Sequence, residues 1–153
     1  MMTMPARTSK QRKQDVLDRL EHDVDLWVAT ADKITGTPYL VPLSFLWDGT
    51  DLLLATPASS PTGRNVQASN TVRLGIGPTR DVVLIEGSVR VFEIGEIAQE
   101  VGDAFAIKTG FDPREETGMY IYCRVTPQRL QAWREANELV GRDLMRDGRW
   151  LTE

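Results

Sequence analysis

Val82-Val83-Leu84-Ile85-Glu86-Gly87-Ser88-Val89-Arg90-Val91-Phe92 decides the fold of this chain, because its β-branched residues alternate at the period of an extended strand. Val83, Ile85, Val89 and Val91 share one face around Gly87, and Val82 and Leu84 make the opposite face apolar as well. An antiparallel strand with two apolar faces needs both of them covered. A chain of 153 residues has few helices to spare for the second face, so a partner subunit is the economical cover.

Outward from that strand, residues 26–31, 39–47, 51–56, 71–76 and 119–126 carry the same β-rich signature. Turn material at Thr35-Gly36-Thr37-Pro38 and Asp48-Gly49 separates the early runs and makes them an antiparallel meander. Val16, Leu17 and Leu20 form a narrow apolar stripe in a short charged helix over 9–22. Residues 61–68 begin with Pro61, which suits the first turn of a helix because proline has no N–H to leave unpaired there. Ile94, Ile97, Ala98, Val101, Ala104 and Phe105 recur at helical spacing and predict an amphipathic helix over 94–107. Pro127 closes the last core strand, and residues 128–153 are expected to form a helical extension carrying Trp133. The sum is one domain over 1–153, with six or seven strands in a closed or nearly closed antiparallel barrel flanked by helices.

Composition removes several chemistries. At 41% hydrophobic and 26% charged residues the chain fills one ordinary core. Its net charge of −4 gives no general attraction to nucleic acid or to anionic membranes. No run approaches the roughly 18 apolar residues of a membrane span, and the polar start lacks the apolar heart of a secretory signal, so a cytoplasmic protein is expected. His22 and Cys123 are the only histidine and cysteine, far apart in unlike contexts, which disfavours a zinc site, a Cys-His nucleophile and a Ser-His-acid triad. Cys123 lies in an apolar run and reads as a buried small hydrophobe. There is no phosphate-binding GxxxxGK[ST] loop, and Gly75-Ile76-Gly77 lacks the last glycine of a dinucleotide fingerprint.

What remains is Thr56-Pro57-Ala58-Ser59-Ser60-Pro61-Thr62-Gly63-Arg64-Asn65, which sets hydroxyls, a guanidinium and an amide where a strand turns into a helix. A helix start offers free N–H groups and the positive end of the dipole, and the added donors would complete a phosphate pocket. The same residues also suit a plain surface turn with Ser60 as N-cap.

In order, the first helix, Leu26-Trp27-Val28-Ala29-Thr30, Val41-Pro42-Leu43-Ser44-Phe45-Leu46-Trp47-Asp48-Gly49, the strand over 52–56, Arg64-Asn65-Val66, Val72-Arg73-Leu74 and Ile85-Glu86-Gly87-Ser88-Val89-Arg90-Val91 span roughly residues 12–135. That ordered set resembles the pyridoxamine 5'-phosphate oxidase-like, FMN-binding split β-barrel family. The resemblance implies a homodimeric split β-barrel that binds FMN, or the deazaflavin F420 as the alternative, and passes a hydride to or from a small organic substrate. It implies ring contacts from Pro42, Leu43, Ser44 and Phe45, and phosphate contacts from Thr56, Ser59, Ser60, Thr62, Arg64 and Asn65. For Phe45 an ordinary core position competes with a ring contact. Trp133 stands where family members bring an aromatic toward the neighbouring subunit's cofactor, and packing with Leu130 and Leu139 is its other reading.

The departures matter. Oxidases of this family carry Arg-Lys where this chain has Pro61-Thr62, which leaves Arg64 to supply the charge. Their C-terminal arginine-histidine substrate motif is missing between Gln128 and Glu153, so pyridoxamine phosphate is not the expected substrate. A barrel that stores or senses a flavin, haem or another flat ligand without turnover is the competing function.

Overall fold

The computed structural model describes residues 4–153. Helix α1 (Ser9–His22) is capped by Thr8, whose hydroxyl accepts the Gln11 N–H at 3.1 Å, and it buries Val16 and Leu20. Strands β1 (Asp25–Ala31), β2 (Pro38–Ser44), β3 (Leu46–Trp47) and β4 (Leu52–Pro57) follow, then helix α2 (Pro61–Ser69) and strands β5 (Thr71–Ile76) and β6 (Val82–Glu93). Helix α3 (Gln99–Thr109), the long strand β7 (Tyr120–Trp133) and the short strands β8 (Asp143–Arg146) and β9 (Arg149–Trp150) complete the chain. Among the described residues no helix is long and apolar enough to cross a membrane.

The sheet is antiparallel, with strand order β2-β1-β5-β6-β7-β4-β3, and β8 and β9 branch from β7. Its two ends, β2 and β3, are separated in sequence only by Phe45. One extended segment therefore runs from one edge of the curled sheet to the other, which makes the expected split barrel. Phe45 is fully buried at the crossing, and its N–H donates to the Val24 carbonyl at 2.9 Å.

Inside the curl, Val28, Leu54, Leu74, Ile85, Val125 and Leu130 pack with Val16 and Leu20 of α1. A second cluster outside it sets Leu53, Ala55 and Tyr122 against Phe105 of α3. Both faces of β4, and of β7 around Tyr122, are thus buried, each large side chain contributing about 1.5–3 kcal/mol. The Phe105 and Tyr122 rings meet edge to face, 5.7 Å between centroids at 88°. Cys123 is buried in the first cluster, where loss of solvation pushes its thiol up to about 12.

The C-terminal helical extension is not formed. Pairing to β6 carries β7 through Pro127 as far as Trp133, with Leu130 and Ala132 buried. Pro127 is tolerated because the register shifts there: Gly87 faces Pro127 and Glu86 faces Arg129, leaving Gln128 unpaired in a bulge. Asp147 and Gly148, both at positive φ, then turn β8 into β9 as a two-residue hairpin. The predicted helix over 94–107 also starts late: Ile94–Glu96 is a 3₁₀ turn and α3 begins at Gln99.

Candidate functional site

The hydroxyl-rich segment folds as the first turn of α2. Ser60 is the N-cap: its Oγ accepts the Gly63 N–H at 3.0 Å and donates to the Pro57 carbonyl at 2.8 Å. Thr56 Oγ1 lies 3.1 Å from the same oxygen, so Ser60 serves the loop's own geometry. The helix start presses tightly on the loop, since a Cβ at Gly63 would come within 2.3 Å of the Pro57 carbonyl oxygen. Any side chain there would push the turn open.

Thr62 is buried, and its hydroxyl has no hydrogen-bond partner. An unpaired buried hydroxyl costs about 1–3 kcal/mol, and the buried Tyr122 hydroxyl shares that state. Arg64 is exposed and its guanidinium donates back to the Ser59 carbonyl. Asn65 stands apart from these donors: its side-chain amide donates to Thr30 Oγ1 at 3.0 Å in a buried contact that ties α2 to β1. A hydroxyl, a helix N-terminus and a guanidinium are the donor types that suit a phosphate group.

Beside this loop is a cleft of about 400 Å³. Pro42, Leu43 and Ser44 of β2 and Asp25 of β1 form one wall. Ala55 and Pro57 of β4 form the floor that leads into the loop, and Phe105, Phe111 and Tyr120 close the far side. The Phe111 and Tyr120 rings lie 5.5 Å apart at 51°. The mostly apolar, aromatic cleft has the dimensions and walls of a site for a flat organic ring.

The structure therefore brings Pro42, Leu43 and Ser44 to the cleft, whereas of the 56–65 loop only Pro57 lines it; Thr56, Ser59, Ser60, Thr62, Arg64 and Asn65 are not among the lining residues. Phe45 is in the core, with Lys108 over its ring. Trp133 lies at the end of β7, in a surface groove with Arg80 and Leu139. Asp25, Phe105, Phe111 and Tyr120 were not singled out from the sequence; they are distant along the chain, and no local spacing marks them as neighbours. Among the described residues no group of acidic, histidine and cysteine side chains is placed to hold a metal.

A curled antiparallel sheet whose edge strands β2 and β3 meet at Phe45 defines a split β-barrel. The chain belongs to the pyridoxamine 5'-phosphate oxidase family, whose model matches residues 13–134. The fold is shared with a FAD-binding protein from Mesorhizobium loti, at a TM-score of 0.63 and 17% identity over 85% of this chain and 95% of that one. An F420 reductase superposes at a TM-score of 0.59 with 18% identity, over 74% of this chain and 93% of the other. A pyridoxamine 5'-phosphate oxidase-related, FMN-binding protein from Nostoc punctiforme gives 0.54 and 14%, over 84% and 86%. Among curated protein sequences no match reaches significance.

Proposed function

We propose that this chain is a homodimeric oxidoreductase that holds FMN, or F420 in its place, in the cleft beside β2 and acts on a small organic substrate. The observation that carries the reading is the cleft lined by Pro42, Leu43 and Ser44 of β2 and by Phe111 and Tyr120, which reaches Pro57 at the start of the loop that caps α2. Thr62 and the helix N-terminus receive the phosphate, and Arg64 swings from the Ser59 carbonyl to join them. Backbone groups of Pro42 to Ser44 face the polar edge of the ring, while Phe105 and Phe111 exclude water from it. A bound flavin or deazaflavin supplies the hydride chemistry, so the protein's part is to bind, orient and keep the site dry.

A second copy covers the outer face of the sheet. Trp27, Gly75 and Leu84 lie in one row across β1, β5 and β6, next to Pro42 of β2. Trp27 is 52% exposed and Leu40, one step along the same face, 59%. Such a contiguous apolar strip on a monomer is a surface that association buries.

The test is titration of the purified protein with FMN and with F420, followed by absorbance and fluorescence. Binding of one of them is expected, and Arg64→Ala should weaken it by about 1.5–3 kcal/mol. Failure of both to bind at concentrations well above micromolar would overturn the proposal. Storage of a flat ligand without turnover is the second reading, favoured by Pro61-Thr62, which leaves the loop with one cation that is already engaged by Ser59. A bound flavin that no donor reduces and no acceptor reoxidises would support it.

A further inference from the structure

The cleft lies where a ladder of the barrel stops. Leu46 pairs with Leu53 and Trp47 with Leu52, and at the turn the Asp48 N–H donates to the Asp51 carbonyl at 3.1 Å. Every second pair of an antiparallel ladder exchanges N–H to carbonyl bonds, so Leu46 and Leu53 form a bonded rung. Continued past Phe45, the same register would set Ser44 opposite Ala55 and Pro42 opposite Pro57 as the next two bonded rungs. Neither forms: β2 pairs with β1 alone, although Cα atoms of β2 and β4 approach within 8 Å.

The other partners of the two strands fix which way their backbone groups point. The Phe45 N–H donates to the Val24 carbonyl and the Asp32 N–H to the Thr37 carbonyl, both at 2.9 Å. Bonds to β1 therefore fall on the odd-numbered residues of β2, and the backbone groups of Pro42 and Ser44 face the split. The Ala58 N–H donates to the Met119 carbonyl at 2.9 Å, so bonds to β7 fall on Leu52, Leu54 and Thr56, and the groups of Ala55 and Pro57 face the split from the other side. Those four residues all line the cleft, which is thus the gap left by two missing rungs.

Proline has no N–H, so a rung made of Pro42 and Pro57 has no donor on either side. Closing it would bring two carbonyl oxygens together and leave both without a partner. With the split open, the missing donors are ones that β1 and β7 do not use, which is where a strand tolerates proline. We propose that Pro42 and Pro57 act as a matched pair that keeps the barrel from zipping shut, and so position β2 and β4 as facing walls of the cleft. The proposal goes beyond the flavin reading and does not depend on which ligand enters.

The experiment follows backbone amide hydrogen exchange and cross-strand contacts by NMR in the full-length protein. In wild type the Ser44 and Ala55 amides should exchange faster than those of Leu43, Leu54 and Thr56, which are bonded to β1 and β7. The double variant Pro42→Thr/Pro57→Val restores both donors. Exchange at Ser44 and Ala55 should then slow at least about fivefold, the worth of one net hydrogen bond. A nuclear Overhauser contact should also appear between the Hα protons of Leu43 and Thr56, the close pair between the two new rungs. Pro57→Val alone supplies one donor and carries the same test in smaller measure should the double variant not fold. Pro38→Thr adds an N–H to the same edge of β2 beyond the reach of β4, which ends at Pro57, and should leave Ser44 and Ala55 as in wild type.

Slow exchange at Ser44 and Ala55 in wild type would overturn the proposal, as would a folded double variant with wild-type exchange and no contact between Leu43 and Thr56. Titration of the closed variant with FMN and F420 keeps the two readings apart. Flavin affinity that survives closure would remove the cleft as the flavin's place and leave the role of the prolines standing.

Discussion

The Lys108 ammonium lies 4.4 Å from the centroid of the Phe45 ring and 3.3 Å from the Phe45 carbonyl oxygen, so α3 is pinned to the one residue that joins β2 to β3. Lys108 shares α3 with Phe105, and Phe45 follows Ser44, so the contact bridges the two walls of the cleft. Burial lowers the pKa of this lysine, while Glu21 and Asp23 act in the other direction and favour its charged form. Lys108→Met should raise the dissociation constant for the cofactor about fivefold, the worth of roughly 1 kcal/mol of cation–π and hydrogen-bond energy. Lys108→Arg should restore part of it. An unchanged constant in the methionine variant would show that the cleft keeps its shape without the clamp.

Thr62→Val separates a phosphate ligand from a packing residue. Valine keeps the shape and removes a buried hydroxyl that has no partner, so the cofactor-free protein should be equally stable or up to about 1 kcal/mol more stable to urea. Cofactor affinity should move the other way, by about 1 kcal/mol. A loss of stability with no change in affinity would place the hydroxyl in the fold and not in the site.

Glu138 provides a pH prediction. It is 2% exposed and accepts the Arg7 backbone N–H at 2.8 Å, the Arg7 guanidinium at 2.8 Å and the Arg134 N–H at 2.8 Å. The hydrogen bonds from Arg7 are the main cause that lowers its pKa from 4.5 to about 2. A carboxylate depressed in the folded state stabilises it above the unfolded pKa, and that stabilisation fades as pH falls toward the folded value. Glu138→Gln should therefore cost about 1–3 kcal/mol at neutral pH, and the gap to wild type should narrow between pH 4.5 and about 2 in urea denaturation. A gap that does not depend on pH would exclude the ion pair as its cause.

The outer face of the sheet tests the oligomer. Leu84 is 39% exposed in the row that includes Trp27 and Gly75, so Leu84→Arg puts a charge on the apolar strip without entering the core. Sedimentation should show wild type as a dimer and the variant largely as a monomer. A wild type that sediments as a monomer would remove the twofold assembly from the proposed function.

The strands were legible because alternation is local: Val83, Ile85 and Val89 point inward whatever the rest of the chain does. The break at Phe45 was not, since the apolar phase of Leu43, Phe45 and Trp47 runs unchanged across it. Only closure of the sheet bends the segment there. At the C-terminus, Leu130 to Met145 has helix-compatible spacing, but pairing with β6 draws its first residues into β7. The hairpin turn was present in the sequence as Asp147-Gly148, with the weak helical pattern before it hiding what it turned.

By itself the sequence determined an antiparallel barrel with few helices and a helix start capped at Ser60, since strand period and a capped helix start depend on near neighbours. Tertiary structure alone decided where the cleft lies. Asp25, Ala55, Phe105 and Tyr120 meet at one cleft because β2 and β4 come together where the barrel splits and α3 folds back over them. Contacts between residues so far apart in the chain leave no periodic trace for a local reading to find.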